Sequence, residues 1–378
     1  MFSLCLLIFS ANYLCAQISV GADDSLRYLP LLRNKSVAVV FNPSSRFGDK
    51  HMLDFLLEQK ISVQKIFALE HGIYGNEDAG AKVKDGVDPK SGLPVTSLYG
   101  GSKEPSKSDL EGIDIVVFDI QDVGARFYTY ISSLNYIMKS CAENDVTLMV
   151  LDRPNPNGHL IDGPVLEDNC KSFVGVHPIP VLHGMTIGEY ALMINGEQWI
   201  GASRPCSLLV IACNNYKRDM FYPLPVAPSP NLPNAQAVFL YPHLCFFEGT
   251  NVSVGRGTDF PFQVYGSPFI KKGDFNFIPA PSYGSKNPKH EGKKCVGEDL
   301  RDIPINSLQT LNLNWLISAY EGSKNKDKFF NNFFEKLAGT KALKQQIEEG
   351  KSEEEIRKSW EPGLSEFKAI RSKYLLYP

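Results

Sequence analysis

Asn42, the pair Glu70-His71, Asp119 with Gln121-Asp122, the pair Asp152-Arg153, and His183 each stand at or just inside the end of a short apolar run. Such residues suit acid–base chemistry on a polar bond. One carboxyl can protonate a leaving oxygen while a second steadies the centre left behind or orients a water. Glu70 is the sharpest candidate for the acid. Ile66, Phe67 and Leu69 wall its approach, and desolvation there would favour the protonated carboxyl that a general acid needs. The plain structural role for the same residue is an ion pair with an arginine. Asp119 or Asp122 would be the second carboxylate, and turn capping is the competing role, above all for Asp122, which lies two residues before Gly124.

These residues need a scaffold that brings them together. Ser36–Asn42, Val63–Leu69, Asp114–Ile120 and Thr147–Leu151 are rich in Val, Ile and Phe and are separated by helix-sized segments such as His51–Lys60 and Thr129–Asn144. That alternation predicts buried parallel strands with crossover helices. A fifth run, Ile179–Leu182, ends on His183. In an open parallel sheet, ligands bind beyond the carboxyl ends of the strands, so the polar clusters are expected to share one site. The predicted fold class is α/β. A Rossmann-like parallel-sheet domain over residues 17–205 is followed by a second, more irregular domain over 206–378. Gly72–Gly92 reads as a long loop and Ser108–Glu111 as a capping box. Residues 220–290, dense in Pro, Gly and aromatics, read as irregular strands and loops. The chain closes in helices at Ser307–Tyr320, Lys328–Ala338 and Lys341–Glu349, then from a capping box at Ser352 and Glu355 through Tyr374. No internal repeat is present.

Further polar groups flank the carboxylates. His71 would orient Glu70 or bind substrate. Arg126 and Tyr128 offer a cation and an aromatic face for a ring-shaped ligand carrying a carboxylate. Asn42 and Ser45 lie in the turn after the first strand, and Asp152, Arg153 and Asn155 lie in the Asp152–Gly158 turn that proline and Asn-Gly make rigid. His183 precedes Thr186, whose spacing to Glu189 marks a capping box. The stiff segment Pro228–Pro233 presents Asn231. Glu248–Thr258 would carry Glu248, Asn251, Arg256 and Thr258 to a ligand, and its bland reading is a glycine-rich surface loop.

Several classes of function are excluded. At 378 residues, with 43% hydrophobic and 21% charged residues, the chain is an ordinary globular protein of about two domains. Its net charge of −3 gives no general reason to bind nucleic acid or acidic lipid. The turn after the first strand holds one glycine, Gly48, where a dinucleotide site needs G-x-G-x-x-G. No P-loop, H-E-x-x-H helix or C-x-x-C pair occurs, so no cofactor, catalytic metal or structural zinc is expected. Phe2–Ala16 is apolar, too short to span a bilayer, and ends on a small residue, as a secretory signal cut near Ala16 would. It points to a periplasmic protein. No later segment is apolar enough to cross a membrane.

The combination of Leu69–Gly72, Asp119–Tyr130, Asp152–Pro156, His183–Thr186, Pro228–Pro233 and Glu248–Thr258 resembles the bacterial exo-β-N-acetylmuramidases, glycoside hydrolase family 171, over nearly all of the chain after the signal. The resemblance implies release of N-acetylmuramic acid from the non-reducing ends of peptidoglycan fragments, with the family's catalytic glutamate falling on Glu70. It also implies that the second domain is α/β, that the active-site cleft lies between the two domains, and that a saccharide is the partner there. Leu69 departs from the proline of many relatives, which alters backbone stiffness beside Glu70 and not the chemistry. Two other readings stay open from the residues: a non-catalytic periplasmic protein that binds muropeptides, and a hydrolase of cell-wall amides or esters.

Overall fold

A computed structural model describes residues 17–75, 84–305 and 307–378. The signal expected at Phe2–Ala16 and part of the Gly72–Gly92 loop lie outside the described residues. All four apolar runs form strands of one seven-stranded sheet. In spatial order it runs Leu208–Ile211, Thr147–Leu151, Ile115–Asp119, Ser36–Phe41, Ser62–Ala68, Pro94–Ser97 and Gly86–Val87. Every neighbouring pair is parallel except the last.

Alternation along each strand explains why both faces of the sheet are covered. In the central strand Val37, Val39 and Phe41 pack against Tyr28, Leu32, Met52 and Leu56 on one side. Ala38 and Val40 face the other side, where Leu134, Ile137 and Met138 of the helix Tyr130–Glu143 pack, with Tyr190 and Ile194 of the helix Ile187–Gly196. The fifth run does not join this sheet. Leu182–His183 pairs antiparallel with Ile161–Asp162, so His183 does not share the edge on which the other clusters stand.

The structure moves several boundaries. Leu208–Ile211 is the edge strand next to Thr147–Leu151, so the first layer continues past residue 205. Within the expected loop, Gly86–Val87 pairs with Pro94–Ser97. The capping box near residue 108 is made by Ser106 and Asp109, while those at Thr186 with Glu189 and Ser352 with Glu355 form where the spacing places them. Helix begins later than the periodicity predicts in two segments, at Asn314–Gly322 and Phe334–Ala338. The stretch 220–290 holds a buried helix, Ala235–Leu244, in spite of Pro242. It also holds two strands of a three-stranded antiparallel sheet of Val264–Ser267, Cys295–Asp299 and Phe275–Phe277.

The two domains share core. Val123, Ala125 and Phe127 of the first pack with Phe246, Phe247, Phe334 and Leu337 of the second. The last helix, Glu353–Arg371, places Ile356, Trp360 and Leu364 in that core and Phe367 in the core against the sheet. The chain then returns to the first domain. The Tyr377 hydroxyl donates to Asp152 Oδ2 at 2.6 Å and accepts the Cys213 amide at 2.8 Å, and the Leu376 amide donates to Glu189 Oε1 at 2.7 Å.

Candidate active site

Strand register sets the centre of the site. Ala68 pairs with Ser97 on the adjacent parallel strand, so Glu70 and Tyr99, each two residues further, emerge side by side. The Tyr99 hydroxyl donates to Glu70 Oε1 at 2.9 Å, and Thr129 Oγ1 donates to Glu70 Oε2 at 3.2 Å. His71 and Gly72 both adopt left-handed backbone, φ 68° and 71°, to make the tight turn that closes with Gly72 N–H to Leu69 O at 3.0 Å. A non-glycine residue in that region is uncommon and marks a turn held by its surroundings.

Glu70 opens into a cleft of about 690 Å³, within the usual range for small-molecule sites. The first domain lines it with Glu70, His71, Tyr99, Tyr128, Thr129 and Phe173. The second lines it with Asn231, Tyr241, Glu248, Arg256, Phe262 and Lys286. Arg256 Nε donates to Glu248 Oε1 at 3.0 Å while its guanidinium lies over the Phe262 ring, 4.9 Å from the centroid. Burial raises the Glu248 carboxyl, but the Arg256 and Lys289 charges outweigh it and hold it below the ordinary value. Lys289 pins the loop by donating to the carbonyls of Phe247, Thr250 and Val252 at 3.0, 2.7 and 2.9 Å. The site therefore faces one carboxylate from a sheet edge with a second, cation-paired carboxylate from a clamped loop, between aromatic walls.

Of the expected site residues, the cleft gathers Glu70, His71, Tyr128, Asn231, Glu248 and Arg256. Tyr128 and Asn231 are tied to its walls, through Tyr128 Oη to Pro228 O at 2.7 Å and Asn231 Nδ2 to Gly284 O at 2.8 Å. The two aspartates expected as second carboxylate are not there. Asp119 is fully buried and takes both Arg153 Nε at 2.5 Å and Arg153 Nη2 at 2.9 Å. Burial works against the Arg153 charge, but the Asp119 carboxylate outweighs it and holds the guanidinium above its ordinary value. Both residues knit strand ends together. Asp122 is buried as well, with Oδ2 accepting the Gly124 amide at 2.7 Å, the turn-capping role.

The remaining expected ligands also serve the scaffold. Arg126 is fully buried and donates to the carbonyls of Pro164, Ile179, Leu337 and Ala338. Asp152 accepts from Thr186 Oγ1, Gly188 N and the Tyr377 hydroxyl. Asn155 bridges Met185 O and Asn157 N, and His183 Nδ1 accepts the Met185 amide at 3.3 Å. Asn42 and Ser45 close their own turn, the Asn42 backbone amide donating to Ser45 Oγ at 2.9 Å and Asn42 Oδ1 accepting the Ser44 amide at 2.9 Å, while the Ser45 hydroxyl donates across to Asp119 O. Asn251 Nδ2 donates to Lys328 O at 3.1 Å, and Thr258 Oγ1 to Gly255 O at 2.6 Å. None of these lines the cleft.

The burial of Asp122 has a measurable consequence. Burial raises its carboxyl to about 7 against the hydrogen bonds of the Gly124 and Val123 amides. His183 Nε2 lies 3.8 Å away, yet burial lowers that imidazole to about 3, so no ion pair forms at neutral pH. A folded value above the unfolded one means that the protonated carboxyl stabilises the fold at low pH. That contribution is lost between about 4, the unfolded value, and about 7. Asp152, raised by burial to about 6, acts with the same sign. Asp122→Asn is expected to melt several degrees above wild type at pH 8, with a smaller gap at pH 5. Calorimetry showing no pH-dependent gap would contradict a desolvated Asp122.

Tyr99, Thr129, Phe173, Tyr241 and Lys286 are cleft residues that sequence reasoning missed. Thr129 was legible as the neighbour of Tyr128, but as a helix start and not as a ligand of Glu70. Among the described residues no group of three or more His, Cys, Asp or Glu is arranged to hold a metal ion. The six described cysteines are buried and free.

Comparison with known proteins bears on what this cleft does. Family models described as "Exo-beta-N-acetylmuramidase NamZ, N-terminal" and "Exo-beta-N-acetylmuramidase NamZ, C-terminal" match residues 37–236 and 239–377. The peptidoglycan beta-N-acetylmuramidase NamZ of Bacillus subtilis (strain 168) is 39% identical, over 96% of this chain and 92% of that protein. Two crystal structures of DUF1343 family proteins from Bacteroides fragilis superpose on 96% of this chain and 99% of theirs. Their TM-scores are 0.88 and 0.79, at 44% and 30% identity.

Proposed function

Because the chain belongs to the exo-β-N-acetylmuramidase family, we propose that it is the glycosidase that releases N-acetylmuramic acid from the non-reducing ends of peptidoglycan fragments, with Glu70 as its acid. The observation that carries the residue assignment is the cleft itself. Glu70 reaches it from the sheet edge, while Asp119 and Asp122 are held in the scaffold. Glu70 protonates the oxygen leaving with the next sugar. Glu248, ionised beside Arg256, steadies the oxocarbenium-like centre or orients the water that attacks it. Tyr128, Tyr241 and Phe262 supply flat apolar surface to the sugar ring.

The direct test is incubation with the disaccharide MurNAc-β-1,4-GlcNAc and chromatography of free N-acetylmuramic acid. Binding without turnover would overturn the reading. Arg256 and Lys286 are the cleft cations suited to the lactyl carboxylate that distinguishes muramic acid from glucosamine. Arg256→Met is expected to raise KM for muramyl substrates ~10- to 100-fold and to narrow the preference over N-acetylglucosaminyl analogues, on the scale of one charge-assisted hydrogen bond. An unchanged preference in competition assays would remove Arg256 from that role.

We infer further that Phe2–Ala16 is a secretory signal and that the protein works in the periplasm, where such fragments arise. The apolar stretch and the small residue before Gln17 support this. Cell fractionation and N-terminal sequencing of the mature protein test it. Mature protein retaining Phe2 in the cytoplasm would refute it.

A further inference from the structure

We propose that Tyr99 and Thr129 are positioning residues that fix the Glu70 carboxyl for proton transfer, one hydroxyl on each oxygen; this rests on the assignment of Glu70 above. The contacts are Tyr99 Oη to Oε1 at 2.9 Å and Thr129 Oγ1 to Oε2 at 3.2 Å. They come from opposite sides in the fold. Tyr99 follows the strand Pro94–Ser97, which flanks the Glu70 strand towards the sheet edge, and Thr129 opens the helix Tyr130–Glu143. A group held from both sides keeps one rotamer, and a general acid works only within hydrogen-bond reach of its target.

Two independent features say that these contacts are built rather than incidental. Thr129 stands in helical backbone, φ −74° and ψ −2°, at the head of a 14-residue helix, and its carbonyl accepts the Ser133 amide at 3.0 Å. The head of the helix thus fixes the backbone from which its hydroxyl reaches Glu70 Oε2. Tyr99 is itself braced. Its amide donates to Ser97 Oγ at 3.2 Å, that hydroxyl returns to Tyr99 O at 3.1 Å, and its ring lies 6.2 Å from Phe173. Burial raises the Tyr99 phenol, which keeps its proton and stays a donor.

The test uses the full chain with MurNAc-GlcNAc and with an aryl muramide, whose better leaving group keeps Glu70→Gln measurable. Tyr99→Phe and Thr129→Val are expected to lower kcat on the disaccharide ~10- to 100-fold with KM within about twofold, and Thr129→Ser to restore most of the rate. On the aryl muramide, adding Tyr99→Phe to Glu70→Gln is expected to change the residual rate less than about twofold, because both changes act through one group. A Tyr99→Phe enzyme with wild-type kcat, or a Tyr99→Phe loss undiminished in the Glu70→Gln background, would overturn the proposal while leaving Glu70 as the acid. Glu70→Gln with wild-type activity on the disaccharide would overturn both.

Discussion

Glu70→Gln is expected to lower kcat on MurNAc-GlcNAc by ~10²- to 10⁴-fold, the range for losing a positioned general acid. Glutamine keeps the shape, its amide oxygen accepting from one of the Tyr99 and Thr129 hydroxyls and its amide nitrogen meeting the other as a donor, so the fold and KM should change little. What it lacks is a proton to give. The loss should shrink on an aryl muramide, whose leaving group departs without protonation. That dependence separates a missing acid from a general disturbance of the cleft. A variant that keeps most of its disaccharide rate would sink the assignment.

The largest effect on stability is expected at Arg126. Its guanidinium, fully buried, donates to Pro164 O at 2.7 Å and Ile179 O at 2.9 Å in the first domain, and to Leu337 O at 2.9 Å and Ala338 O at 2.8 Å in the second. The latter two are the last carbonyls of the helix Phe334–Ala338, where a cation also complements the helix dipole. Gly339 follows in left-handed backbone at φ 76°, and a Cβ there would come within 2.5 Å of Arg126 Nη2. Arg126→Leu strips the donors from four buried carbonyls at the join between domains. It is expected to cost on the order of 3–5 kcal/mol and roughly 4–7 °C in Tm. Gly339→Ala should reproduce part of that loss by clash. Calorimetry showing Arg126→Leu within 2 °C of wild type would refute the role.

How much of this was legible follows from where each residue finds its partners. The central strands were legible because a run buried on both faces is apolar throughout, as in Val37–Phe41 and Val116–Phe118. Pro94–Ser97 was hidden by its shortness and by its place in a glycine-rich stretch, and with it went Tyr99. Asp119, Asp122, Arg126 and Asp152 do stand at strand ends or in the connections after them, as read. The sequence carries no measure of depth, however. A charge at a strand end can face the ligand or the packing beneath it, and the arbiter is a distant partner. Leu337 is 211 residues from Arg126, and Tyr377 is 225 from Asp152. Glu248 and Arg256 were easier, because their pairing is local and the surrounding loop is dense in turn-forming residues.

The seating of Tyr377 on Asp152 also sets an order of events in the cell. Synthesis runs from the N-terminus, so Asp152 emerges from the ribosome with Thr186 and Gly188 soon after it but waits 225 residues for its phenol donor. Glu189 waits nearly as long for the Leu376 amide. All seven strands of the sheet lie between residues 36 and 211, so its strands are made well before Tyr377 and Leu376 can seat on Asp152 and Glu189.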